Sequence, residues 1–258
     1  MWDPNTYQRY ADERSRPFVE LLGRVPTMTP RAVVDLGCGP GNLTATLAAR
    51  WPAARVTGVD SSAEMIEKAR GGGWPVEFAV RDVRDWSPAP DVDVVVSNAA
   101  LQWVTGHEEL LVRWAGQLPA GACLAVQVPG NWDAPSHRAL RAVATAGPWR
   151  DRLVDAVAPR AVPDAEAYAR LLIRAGCAVD AWETTYVHLL PSGRPRAEHP
   201  VLRWMEGTAL RPVRAVLGDG EWAEFRRRLG ERLADAYPSA DGLVPFPFRR
   251  VFVVARTG

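Results

Sequence analysis

Three glycines, Gly37, Gly39 and Gly41, stand at alternate positions directly behind the apolar run Val33-Val34-Asp35-Leu36. Glycines in this position let a chain turn tightly out of a strand, and they let a ligand approach the backbone with no Cβ in the way. A helix starting near Asn42 would then offer that ligand its free N–H groups. Two ligand classes compete for such a loop. A dinucleotide fingerprint reads GxGxxG, with the third glycine closing helix on strand. Here the third glycine falls one residue early, and Asn42 occupies the place that pattern reserves for glycine. Asp35 also opposes a pyrophosphate, because its carboxylate would repel one, whereas a cationic amino or sulfonium group would be compatible with it. A strand–helix turn with no ligand is the bland reading of the glycines alone.

Further polar residues argue against the bland reading. Asp60 closes the next apolar run, Val56-Thr57-Gly58-Val59, about 20 residues beyond the loop, where nucleotide-binding α/β folds hold a ribose hydroxyl pair. Ser61 and Ser62 follow it as candidate helix caps. Asp82-Val83 comes after a third run, and a carboxylate or backbone group there can read an adenine amino group. Asn98, with Gln102 and Trp103 close behind, comes after a fourth and would lie under a methyl donor. Four successive strand ends each carry a suitable polar residue, as a ligand lying across the carboxyl edge of a sheet requires.

The elements that must position these residues are legible in the periodicity. Strand-like runs cover 32–36, 55–59, 76–80, 93–97 and 123–128, and helical stretches at 42–51, 63–70 and 107–117 lie between them. Apolar strands alternating with helices indicate a parallel sheet covered on both faces. In the second half, 163–175 and 217–237 read as helices, and 177–190 and 248–256 read as strands. Placing the last two strands beside the fifth completes an α/β, Rossmann-like, seven-stranded sheet with an antiparallel edge. The expected organisation is a single domain over 1–258. Within it, residues 1–30 form an N-terminal helical segment over the site, 31–130 bind the cofactor, and 131–165 with 191–245 form a helical acceptor lid.

Composition restricts the alternatives. Lys and Arg number 31 against 30 Asp and Glu, for a net charge of +1. Such a chain lacks the field that non-specific nucleic-acid binding relies on, so no nucleic-acid partner is expected. Cys38, Cys123 and Cys177 are far apart, and neither they nor the four histidines show metal-ligand spacing, so no metal site is expected. The first seventeen residues are polar and of mixed charge, and no long apolar run follows, which makes the cytoplasm the expected compartment. His107, His137 and His199 are expected at the surface or at caps. Oligomeric state is not readable from the sequence.

The motif DLGCGPGN at 35–42 with Val59-Asp60 resembles the class I S-adenosylmethionine-dependent methyltransferases. The resemblance continues through Trp2-Asp3-Pro4 with Tyr7, Glu13-Arg14-Ser15-Arg16-Pro17, Asn98-Ala99-Ala100-Leu101-Gln102-Trp103, Val126-Gln127-Val128-Pro129-Gly130-Asn131-Trp132, Trp182-Glu183-Thr184-Thr185-Tyr186, Gly207-Thr208-Ala209-Leu210-Arg211-Pro212 and Pro247-Phe248-Arg249-Arg250-Val251-Phe252. It implies S-adenosyl-L-methionine as cofactor, held by Asp35, Gly37, Gly39, Gly41, Asn42, Asp60, Ser61, Asp82, Val83, Asn98, Gln102 and Trp103. The later motifs are similar to a branch that esterifies a small tricarboxylate. Arginine suits such an acceptor because its planar fork pairs with carboxylates in bidentate fashion. Candidate acceptor contacts are Arg14, Arg16, Asn131, Trp132, Tyr186, His188, Arg211 and Arg249. No general base is expected, because a carboxylate is already ionised at neutral pH. A related carboxyl or small-molecule O-methyltransferase with another acceptor, a nicotinamide-dependent oxidoreductase and a cofactor-binding regulator without turnover are the competing readings.

Overall fold

The computed structural model describes residues 11–158, 162–192 and 198–258, with side chains from Ser15 onward. The motif residues Trp2, Asp3, Pro4 and Tyr7 and the Arg14 side chain lie outside the described residues. The elements run α1 Ala11–Gly23, β1 Ala32–Leu36, α2 Thr44–Arg50, β2 Arg55–Asp60, α3 Ala63–Arg70, β3 Glu77–Val80, β4 Val92–Asn98, α4 His107–Gln117 and β5 Cys123–Pro129. They continue as α5 Pro135–Ala146, α6 Arg150–Leu153, α7 Ala165–Arg174, β6 Ala178–Pro191, α8 Pro200–Glu206, α9 Arg211–Val216, α10 Asp219–Ala236 and β7 Leu243–Arg256.

The seven strands form one sheet in the order β3-β2-β1-β4-β5-β7-β6. The first five pair in parallel. β7 runs antiparallel to β5, from Cys123↔Arg256 to Pro129↔Arg250. Strand order reverses between β1 and β4, and at such a switch point the two crossovers leave to opposite sides and open a crevice at the carboxyl ends of the strands. Every residue of β1 is buried, Asp35 included. β7 begins at Leu243, five residues before the sequence pattern suggests, because Pro245 and Pro247 obscure the strand alternation of Val244, Phe246 and Phe248. α2 begins at Thr44 rather than Asn42, since the glycine loop uses the intervening residues to turn.

The described residues divide into two compact units. The first holds 12–129, 162–184 and 250–258. Its core packs Val34, Leu36, Val95, Leu111, Leu124 and Val126 around Trp114, which meets Trp86 edge to face at 5.5 Å. The second holds Ala11, 130–158, 185–192 and 198–249. Its core is built on Leu140, Trp149, Leu202, Phe225, Leu229 and Phe246, from helices and from the ends of β6 and β7. The Trp149 indole N–H donates to the Val143 carbonyl at 3.1 Å, so this large ring is buried with its polar atom satisfied.

Candidate cofactor and acceptor sites

The glycine loop of the first unit is held by backbone bonds and by one carboxylate. The Gly37 and Cys38 N–H groups donate to the Val59 carbonyl at 2.7 and 3.0 Å, which locks the end of β1 to β2. Gly39 N–H donates to Asp60 Oδ2 at 2.9 Å, and Ser62 N–H donates to Asp60 Oδ1 at 2.9 Å. Asp60 therefore ties the loop to the start of α3. A carboxylate has about four acceptor positions, so two remain for a diol. Ser62 caps α3 by accepting from Met65 N–H, and Ser61 is exposed beside it.

Two of the glycines are required by space as well as by their positive φ. A Cβ on Gly37 would stand 2.2 Å from the Ala100 Cβ, and one on Gly41 would stand 2.7 Å from the Phe78 ring. Gly39, with φ +54°, faces open space instead, which leaves its backbone approachable. Asn42 is exposed where the loop ends.

Asp35 is buried, and the Thr44 hydroxyl donates to its Oδ2 at 2.6 Å. Burial pushes its carboxyl up to about 7, the Thr44 bond opposes that rise, and the nearby Asp60 charge adds to it.

At the third strand end, Asp82 accepts from Arg84 N–H at 2.8 Å and pairs with the Arg84 guanidinium through both oxygens. The Arg84 bonds hold its carboxyl down at about 2. Its carboxylate is thus already paired by a cation from the same turn, and Val83 beside it is buried. At the fourth, Asn98 ends β4 with its Oδ1 buried and without a partner among the described residues. Ala99 follows with φ +55°, a left-handed conformation costly for a residue with a Cβ, held by its N–H bond to the Gln127 carbonyl at 2.9 Å. Gln102 donates through Nε2 to the Ala99 carbonyl at 2.7 Å, and its Oε1 is buried without a partner among the described residues. Trp103 is 44% exposed, so it is no core residue.

Among the acceptor candidates, Arg16 is exposed on α1 of the first unit. In the second unit, Asn131 exchanges both amide groups with the Arg249 backbone: Nδ2 donates to the carbonyl at 3.0 Å and Oδ1 accepts from N–H at 2.8 Å. That use of the amide makes Asn131 a clamp on the Arg249 backbone. The Arg249 guanidinium donates to the Gly130 carbonyl at 3.3 Å. Asn131 and Arg249 line a cavity of about 590 Å³ together with Thr185, Tyr237, Pro245 and Pro247. Small-molecule sites run from about 300 to 1,000 Å³, so the volume suits one. Trp132 is half-buried and meets His137 edge to face at 5.1 Å.

Tyr186 and His188 share one face of β6, their rings 6.3 Å apart, and His188 stacks on Trp204 at 4.7 Å. His188 is thus buried in an aromatic cluster. Arg211 is exposed at the first turn of α9.

The expectation of a surface or cap position fails for His107. His107 is buried, with Nε2 and the Tyr168 hydroxyl 2.5 Å apart. His137 is half-buried in the first turn of α5, and desolvation holds it down at about 4. The spacing of polar side chains along the sequence does not reveal burial that arises when two distant helices meet. Sequence reasoning also assigned no role to Gln127, although a glutamine interrupting the apolar run of β5 was the visible signal. Arg250, which follows Arg249 in the last motif, is buried.

The description "Methyltransferase domain" belongs to the family model that matches residues 33–120. Over 259 residues the chain is 57% identical to a protein of Mycolicibacterium gilvum (strain PYR-GCK) named trans-aconitate 2-methyltransferase, covering 99% of each chain. It is 50% identical over 261 residues to a protein of the same name from Mycobacterium tuberculosis (strain ATCC 25177 / H37Ra), covering 100% of this chain and 97% of the relative. In fold it is similar to the YcgJ protein of Bacillus subtilis, with TM-score 0.60, 13% identity, and 93% and 97% of the two chains covered. It is also similar to Haemonchus contortus phosphoethanolamine N-methyltransferase 2, solved with S-adenosyl-L-methionine, with TM-score 0.52, 17% identity, and 94% and 53% covered.

Proposed function

The chain belongs to the trans-aconitate 2-methyltransferase family, and from that membership we propose that it esterifies a carboxylate of trans-aconitate with the methyl group of S-adenosylmethionine. The products are the monomethyl ester and S-adenosylhomocysteine. The observation that carries this reading is an identity of 57% over an alignment that covers 99% of the chain, the second unit as well as the glycine loop. A cofactor match alone would identify only a methyltransferase.

The residues present fit the cofactor. Gly39 leaves open space at the loop, Asp60 keeps acceptor positions for a ribose diol, and Asp35 is a buried carboxyl whose charge a cationic ligand group would stabilise. When bound, S-adenosylmethionine supplies an electrophilic methyl group on a sulfonium. We assign Asp60 to the ribose, the Asp82-Val83 turn to the adenine, and Asp35 to the amino-acid ammonium. Asn98, Gln102 and Trp103 are assigned to the methyl-bearing end, with Asn42 and Ser61 at the rim. Support at the turn comes from the Val83 backbone more than from Asp82, whose carboxylate Arg84 already occupies.

The acceptor carboxylate enters ionised, so the chain needs no general base. Its tasks are alignment and exclusion of water, and held geometry of this kind supplies roughly 7–11 kcal/mol of such barriers. Arg249, Tyr186 and His188 are the acceptor contacts we favour, with Trp132 a further candidate and Asn131 setting the Arg249 backbone. Arg16 and Arg211 are exposed single charges, which supports them less; Arg14 is carried by resemblance alone. The near-neutral charge supports a small acid over nucleic acid as partner. Three buried thiols, none in a disulfide, support the cytoplasm as compartment. No described helix is long and apolar enough to cross a membrane.

The test is transfer of a labelled methyl group to trans-aconitate and to cis-aconitate, read as ester by mass spectrometry. Ester from trans-aconitate in preference to cis-aconitate is expected. Cofactor binding without ester from either acid would overturn the assignment of the acceptor.

A further inference from the structure

Strand register places four polar side chains on one face of the sheet. Asp35 pairs with Gly58 on β2 and Val96 on β4, and Asn98 pairs with Gln127 on β5. Strands alternate their side chains between faces, so Asp60, Asp35, Asn98 and Gln127 all project to the same side. On the next strand Gln127 pairs with Phe252, whose ring stacks on Trp182 at 4.9 Å and 3°. Gln127 is therefore the last polar member of the row before an apolar wall. The row opens at half-buried Asn98 and is fully covered at Gln127.

Gln127 has no accessible surface, and among the described residues neither its Nε2 nor its Oε1 has a hydrogen-bond partner. A buried amide left unpaired on both atoms carries a desolvation cost that no described side chain or backbone group offsets. It sits in an otherwise apolar strand, where a leucine or methionine would carry no such penalty. Under the proposed function, Asp60, Asp35 and Asn98 belong to the cofactor. Gln127, one strand further along, is left for whatever meets the methyl group.

We propose that Gln127 binds the attacking carboxylate of the acceptor, its Nε2–H donating to one oxygen while the other oxygen takes the methyl group. The inference rests on the functional reading above. In the step, a carbon–oxygen bond forms as the sulfur–carbon bond breaks, and the bonding pair leaves on sulfur. No proton moves. A neutral amide suits this task better than a guanidinium would. A guanidinium brings a full positive charge and a fork that engages both carboxylate oxygens, and so would hold the electron pairs that must attack. The amide fixes direction and leaves the nucleophile its charge.

The test compares wild type with Gln127→Met and Gln127→Glu, reading the apo melting temperature, the S-adenosylhomocysteine Kd, and kcat/KM for trans-aconitate. Gln127→Met is expected to melt at or above wild type and to keep Kd within about threefold. It should lose at least about tenfold in kcat/KM, the pattern of an interaction made with the acceptor. Gln127→Glu keeps the shape but opposes the acceptor's charge, so its activity should recover as pH falls and the new carboxyl takes a proton. A kcat/KM within about twofold of wild type for either variant overturns the inference, as does a Kd that weakens in step with kcat/KM. Failure of both variants to fold also overturns it, because an amide unpaired in the ligand-free protein has no structural bond to lose. A wild-type enzyme that makes no ester refutes the functional reading and this inference with it; ester from wild type with unchanged variants refutes the inference alone.

Discussion

Replacing Asp35 with asparagine should stabilise the ligand-free protein and at the same time weaken its grip on the cofactor. The carboxyl is buried, with the Thr44 hydroxyl 2.6 Å from Oδ2, and burial raises it from the ordinary 3.8 to about 7. Holding it ionised at pH 8 therefore costs about 4 kcal/mol, at 1.36 kcal/mol for each pH unit of the rise. Asparagine keeps a carbonyl for Thr44 to donate to, so little more than the charge-assisted part of that bond, about 1 kcal/mol, is lost. The net gain is roughly 3 kcal/mol, or about 6–12 °C in melting temperature for a protein of this size.

The sign with pH follows from linkage. The folded state binds this proton more tightly than the unfolded chain does. The stability it contributes is therefore fully present below about pH 4 and is lost as pH rises through about 7. Thermal melts of both proteins from pH 5 to 8, without ligand, isolate the effect as their difference, which should widen with pH and level off near 8. Titration calorimetry supplies the second half. If Asp35 faces the ammonium of S-adenosylhomocysteine, wild-type affinity should rise with pH up to about 7, by at most tenfold per pH unit, and the variant should lack that rise. A variant that melts below wild type at pH 8, or a difference that does not change with pH, would refute the burial argument.

Asp60→Ala removes the partner of two N–H groups and the proposed ribose acceptor together. The S-adenosylhomocysteine Kd should rise at least tenfold, about 1.4 kcal/mol, by calorimetry, and a change within twofold would contradict the ribose assignment. Tyr168→Phe strips the buried His107 Nε2 of its partner, so denaturant titration should show a loss of about 1–3 kcal/mol with the Kd unaltered. Loss of cofactor affinity there would mean that the His107–Tyr168 pair reaches beyond the packing of α4 and α7.

Much of this protein is written in short-range pattern. The alternation of apolar runs with helical stretches specifies five parallel strands, because each strand end and helix start has its own local chemistry. The offset of the third glycine, Asp35 and Asp60 together indicate the ligand class, since the constraints they express act within one or two turns of chain. Other properties required the tertiary structure. The rise of Asp35 to about 7 comes from burial among neighbouring strands. The diversion of Asn131 into an amide clamp comes from a strand 118 residues away, and the early start of β7 was hidden by its prolines. The row ending at Gln127 exists only through register: β5 must align with β4 before that glutamine lies beside Asn98. Sequence spacing states which residue types are available. Desolvation and proximity, which decide what those residues can do, depend on which distant strands become neighbours.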